Sequence, residues 1–228
     1  MNWVEYWAQP GFDEDFRKKS LSYYVGNLIT SATVRKGEDI LDYGSGLGYV
    51  AEYLSERAGR LVLAEPSAAL REASARFNAG RKNVVHVNPD GMDGLGAFLD
   101  RNRFDLILIN SVIQYIRPDE TRRILSLLRK GLKPGGRIVV SDIVPRDAQL
   151  IGDLHSVMGF YRRWFGLRRF LAHVAGEFSR LGRRRNLPFY TYTKQSFEAS
   201  LRDEFLVQWI PNPTVCRGRL CAMLIPRT

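Results

Sequence analysis

Three features of this 228-residue sequence predict an α/β fold, a doubly wound, mainly parallel seven-stranded sheet with an antiparallel C-terminal strand pair. Short Val-, Ile- and Leu-rich runs alternate with helical patterns, the last two apolar runs have no helix between them, and the first run ends in a glycine-rich loop. Parallel strands are covered on both faces and so read as near-continuous apolar runs. Alternating them with amphipathic helices builds right-handed crossovers onto one sheet.

The elements follow in order. WVEYWAQPGFDEDF sets Trp3, Tyr6, Trp7 and Phe12 ahead of a helix around Phe16 to Ile29. This N-terminal helical lid (1–36) offers aromatic faces to a cation or to packing. Strands are predicted at Asp39–Tyr43, Arg60–Glu65, Asn83–Val87, Asp105–Asn110 and Arg137–Asp142. Helical patterns lie at Val50–Arg57, at Ala68–Asn78 and at Thr121–Lys130, where Ile124, Leu125 and Leu128 share a face. A helical insertion after the fifth strand, 145–193, carries two apolar stripes broken near Gly166. Leu154, Val157, Met158, Tyr161 and Phe165 form one; Leu167, Phe170, Leu171, Val174, Phe178 and Leu181 form the other. In the C-terminal helix and strand pair (194–228), Glu204–Ile210 and Arg219–Ile225 flank PNPTVCRG and read as antiparallel strands. Cys216 and Cys221 fit one strand on opposite faces, as structural thiols rather than a disulfide or metal site. The length suits a single domain over 1–228. There is no basic leader before an apolar core and no run near the ~20 residues of a membrane span, so a cytoplasmic protein is expected.

The loop in ILDYGSGLGYV, residues 40–50, carries the functional signal. In a doubly wound sheet the ligand sits beyond the carboxyl ends of the strands, where strand order reverses. Gly44, Gly46 and Gly48 are spaced G-x-G-x-G rather than G-x-G-x-x-G, which speaks against a dinucleotide pyrophosphate and a nicotinamide oxidoreductase. Asp42 would repel a pyrophosphate and suits a ligand bearing an ammonium group. Glu65, ending the second strand, is placed to accept hydrogen bonds from ribose hydroxyls.

ILDYGSGLG followed by LVLAEPS resembles the cofactor site of the class I S-adenosylmethionine-dependent methyltransferases, and FDLILINSVIQYI and LKPGGRIVVSD extend the resemblance over about Ile40 to Val144. The NSVIQY segment is similar to small-molecule methyltransferase domains, including those embedded in nonribosomal peptide synthetases. The resemblance implies a Rossmann-like core at 37–144 and S-adenosyl-L-methionine as cofactor. It implies that Asp42, Gly44, Gly46 and Gly48 hold the methionine moiety, with Glu65 and the adjoining Pro66 at the ribose. Asp90, Gly91 and Met92 would stand near adenine, with Asp93 a weaker candidate, and Asn110 and Ser111 near the methionine half.

Methyl transfer by in-line displacement needs alignment and desolvation, and a base only where the attacking atom must lose a proton. His155, opening the segment after the fifth strand, is the candidate general base, with a surface or packing histidine as the alternative; His86 and His173 read as structural. No metal is expected. The net charge is +10, and the stretch from Pro145 to Pro188 holds nine arginines, no lysine and three acids. That excess fits a small, anionic acceptor, peripheral contact with an anionic membrane, a nucleic acid, or solvated arginines. The expected acceptor is a nitrogen or oxygen of a natural product, sugar or lipid-linked intermediate. RNA methylation and a non-catalytic cofactor-binding protein are the alternatives. The resemblance also disfavours nucleic acid: similar enzymes that methylate amino groups of DNA or RNA usually carry a proline-rich tetrapeptide after the fourth strand, where this sequence has Asn110, Ser111, Val112 and Ile113, and neither cysteine is placed for attack on cytosine.

Overall fold

A computed structural model describes residues 2–9, 13–148, 150–184 and 187–227. Phe12, and the side chains of Trp3, Phe178 and Leu181 among the predicted apolar positions, lie outside the described part.

Strands β1 (Asp39–Tyr43), β2 (Arg60–Ala64), β3 (Val84–Val87), β4 (Phe104–Asn110) and β5 (Leu132–Ile143) run parallel. Strand β7 (Leu220–Pro226) is antiparallel to both β5 and β6 (Phe205–Ile210). The order is β3-β2-β1-β4-β5-β7-β6, so it reverses between β1 and β4, and the crevice beyond their carboxyl ends is where this architecture binds ligands.

Period-two alternation assigns the strand residues to two cores. Leu41, Val62, Ile107 and Ile138 face helices α5 (Gly91–Arg101), α6 (Pro118–Lys130) and α9 (Lys194–Leu201). Ile40, Leu61, Leu63, Leu106 and Val139 face helices α2 (Glu14–Thr30) and α3 (Ala51–Leu54). Such a fully buried aliphatic side chain contributes about 1.5–3 kcal/mol. Helix α4 (Ala68–Phe77) follows β2, capped by Ser67. A short helix α1 (Trp3–Trp7) precedes α2, and α7 (Leu150–Trp164) and α8 (Leu167–Arg184) form the insertion, with Gly166 at φ +85° between them.

The structure departs from the sequence reading at several points. Helix α5 was not expected, because GMDGLGAFLDR carries three glycines, each a poor helix former; burial of Leu95 and Leu99 one turn apart outweighs that propensity. The helix expected over Val50–Arg57 is a single turn, Ala51–Leu54. Cys216 lies in the loop before β7, leaving Cys221 as the strand cysteine; both are free thiols. Leu154, placed on the first apolar stripe, is exposed at the start of α7.

Candidate functional site

A cavity of about 930 Å³ opens at the β1/β4 switch point. Its floor is made by Tyr43 at the end of β1, Gly44, Ser45 and Gly46 after it, Glu65 and Pro66 after β2, Asn110 and Ser111 at the end of β4, and Asp142 near the end of β5. Above it stand Trp7, Phe16 and Arg17 from the N-terminal helices, His173 from α8, and Tyr115 and Tyr190.

The glycine loop is fixed to β2 by two amides, Gly44 N and Ser45 N, which donate to the Ala64 carbonyl at 2.8 and 3.1 Å. Gly46, at φ +55°, has open space where a Cβ would stand, so its bare backbone leaves room for a ligand. Gly48, at φ +65°, packs the loop on α4: a Cβ there would lie 2.0 Å from Ser74 Oγ. Gly48 itself does not line the cavity.

Glu65 is buried and its two oxygens accept from Gly46 N and Ser67 N, each at 2.9 Å. Burial pushes its pKa up, against the pull of those two amides and Arg71. Asp42 lies behind the loop, 4% exposed, and desolvation with the neighbouring Glu65 charge raises its pKa to about 7. Two carboxyls thus underlie one end of the cavity, an environment that favours a bound cation. Ser45 Oγ and Asn110 Oδ1 are buried without a hydrogen-bond partner. Such orphaned groups are costly and mark a place where a ligand would satisfy them.

At the strand ends, Ser111 and Asp142 have φ of +59° and +60°, the left-handed region that L-residues other than glycine avoid. Ser111 Oγ donates to Asp142 Oδ2 at 2.7 Å across β4 and β5. Burial raises the Asp142 pKa, opposed by Arg219 and the Ser111 hydroxyl. Arg219 Nε stands 4.0 Å from Asp142, and its Nη2 donates to Asp153 of α7 at 2.5 Å. Strained backbone at two adjoining cavity residues is characteristic of functional sites. Asp142 was missed as a site residue; the available signal was a carboxylate ending the fifth strand, beside the predicted Ser111.

The lid is tied to the insertion. Asp13 caps α2 by accepting from Phe16 N at 3.0 Å, and also accepts from Tyr161 OH and Arg169 Nη2, both at 3.0 Å. Arg169 reaches Asp15 as well, at 3.0 Å. Phe16 stacks on Tyr161 with ring centroids 4.8 Å apart, and Arg17 lies over the Trp7 ring at 5.3 Å.

Not every predicted residue reaches the cavity. His155 is exposed on α7 and does not line it; at 3.6 residues per turn it falls on a different face from the buried Phe160 and Tyr161. His173, assigned to structure in the sequence, is the histidine on the cavity wall. His86 pairs with Ser74 Oγ at 2.9 Å. Asp90, Gly91 and Met92 are exposed at the start of α5, past β3 and outside the cavity lining. Arg169 is taken up by the lid, and Arg162, Arg163 and Arg168 point away from the cavity lining into solvent. Among the described residues no cluster of three His, Cys, Asp or Glu could hold a metal, and no helix is long and apolar enough to cross a membrane.

A family model described as a methyltransferase domain matches residues 41–138. The chain is 30% identical to demethylmenaquinone methyltransferase of Clavibacter sepedonicus over 193 residues, 82% of this chain and 71% of that one. It is also 30% identical to protein-L-isoaspartate O-methyltransferase of Brucella anthropi over 122 residues, 53% of this chain and about half, 52%, of the relative's length. Magnesium protoporphyrin IX methyltransferase from Synechocystis PCC 6803, solved with S-adenosylhomocysteine bound, superposes with a TM-score of 0.57 at 15% identity, covering 98% of this chain and 86% of that one.

Proposed function

The chain belongs to the class I S-adenosylmethionine-dependent methyltransferases, and within that class we propose that it methylates a nitrogen or oxygen of a small-molecule acceptor held beneath its aromatic lid. One observation carries this reading: a single cavity joins a polar floor, with orphaned oxygens on Ser45 and Asn110, to a roof of Trp7, Phe16, Tyr115 and Tyr190. A volume of about 930 Å³ lies in the range of small-molecule sites and accommodates a nucleoside cofactor together with a compact acceptor.

The floor suits the cofactor of the class. Glu65, held by two amides, keeps lone pairs for ribose hydroxyls, while the Asp42 carboxyl favours positive charge above it. Ser45 Oγ and Asn110 Oδ1 would gain partners from the amino-acid half. Pro66 lines the cavity beside Glu65, whereas Asp90, Gly91 and Met92 stand outside its lining. The cofactor supplies an electrophilic methyl group. The chain aligns the acceptor and excludes water.

Asp142, paired with Ser111, orients the acceptor's N–H or O–H and takes its proton on the carboxylate. Asp142 replaces His155 in this role because it lines the cavity and His155 does not. With Asp13 paired to Arg169 and Glu65 given to the ribose, Glu120 and Asp142 stand in the wall beside Arg17 and Arg117, a balanced charge that does not require an anionic acceptor.

The test is calorimetric titration with S-adenosylmethionine, followed by incubation of the protein with metabolite extracts and isotopically labelled cofactor. Label appearing in a small molecule supports the reading. Cofactor binding with no label in any extract favours a non-catalytic cofactor-binding protein, and label in added RNA alone overturns the acceptor class.

A further inference from the structure

We propose that the corner between α7 and α8 is a docking surface for an anionic lipid bilayer. Three large apolar side chains stand exposed at this turn: Trp164 at 46%, Leu167 at 55% and Leu171 at 59%. Leu167 and Leu171 are one turn apart on the outer face of α8, roughly opposite His173, which looks into the cavity. Arg162, Arg163 and Arg168 are exposed beside them, and no acidic residue occurs between Asp153 and Glu177. Lys19 Nζ lies 3.7 Å from the Trp164 ring centroid and Arg163 lies 5.4 Å from it, so the indole is ringed by cations.

The combination selects the partner. Apolar side chains of this size left in water cost free energy unless something covers them, and cations around the patch favour a negatively charged cover. Tryptophan and leucine inserted at headgroup depth, with arginine on the phosphates, is the arrangement of an interfacial helix on anionic lipid. A nucleic acid would use the arginines but leave Leu167 and Leu171 exposed. A second copy of a chain with net charge +10 would bring like charges together. Because one helix carries both the patch and part of the cavity wall, bilayer docking would set that wall against the membrane.

The experiment is co-sedimentation of the purified protein with vesicles of phosphatidylcholine alone and of phosphatidylcholine with phosphatidylserine, at two salt concentrations. Binding is expected to the anionic vesicles only, and to weaken with salt. Replacing Arg162, Arg163 and Arg168 together with Gln should lower partitioning by roughly two orders of magnitude, from the attraction of each basic residue to an anionic surface. The Leu167→Asp, Leu171→Asp double variant should also lose binding, with thermal melting and S-adenosylmethionine affinity held near wild type as the folding control.

The proposal is overturned by absent sedimentation with anionic vesicles at low salt, or by leucine variants that sediment normally. It is equally overturned by self-association in sedimentation velocity that the leucine variant abolishes, or by oligonucleotide binding that needs the arginines and not the leucines. None of these readouts depends on methyl transfer, so the proposal and the functional reading fail separately.

Discussion

At the scale of single residues, Asp42 makes the sharpest prediction. Its folded pKa of about 7 exceeds the ordinary 3.8, so the folded protein holds a proton there that the unfolded chain has already lost. This stabilisation is complete below about pH 4 and is lost as pH rises to about 7, by at most ~4 kcal/mol. Asp42→Asn should therefore gain stability over wild type as pH rises across that window, read from denaturant unfolding at several pH values. A bound cationic cofactor would pull the Asp42 pKa down, so binding near pH 6 should release a proton. Calorimetry in buffers of different ionisation enthalpy measures it. Glu65→Ala should weaken cofactor binding by about 1.5–3 kcal/mol through lost charge-assisted hydrogen bonds; unchanged affinity would remove Glu65 from the site. Asp42 and Glu65 are visible in the sequence as candidates because each is an acid at or after the end of an apolar run. Asp142 ends an apolar run in the same way, but its left-handed backbone and its pairing with Ser111, 31 residues away, are not shown by a linear pattern.

At the scale of elements, the lid depends on few groups. Asp13 caps α2 and joins it to α7 and α8 through Tyr161 and Arg169. Asp13→Ala should cost about 1 kcal/mol for the cap alone. It should also speed amide hydrogen exchange in 14–30 and 161–173 and raise the cofactor dissociation rate. Arg169→Gln, which keeps the cap, should raise the off-rate with little change in exchange at the start of α2; identical off-rates would show that the stacked rings hold the lid without the ion pairs. The two insertion helices were legible from their 3.6-residue stripes. Which arginine ties the insertion to the N-terminal helices was not, because Arg169 meets Asp13 and Asp15 across 156 and 154 positions of sequence. Helix α5 stayed hidden for a different reason, since its glycines argue locally against a helix that tertiary burial stabilises.

For the whole molecule, the parallel half of the sheet was legible because buried strands and intervening helices impose right-handed crossovers. The pairing of β7 with β5 was not, since apolar runs alone do not say which of two late strands sits inside. Strand β7 is interior, flanked by β5 and β6, and contributes Cys221, Ala222 and Leu224 to the buried cores. Deleting 220–226 should leave β5 with an open edge and send the protein to the insoluble fraction, whereas a soluble, cofactor-binding product would show that the first five strands suffice. The position of β7 also bears on how the chain is made. Synthesis delivers β1 to β5, with the glycine loop and both carboxyls, well before the strand that completes the sheet. A nascent chain therefore carries a nearly finished cavity floor beside an unpaired apolar edge, which is open to aggregation until residue 226 leaves the ribosome.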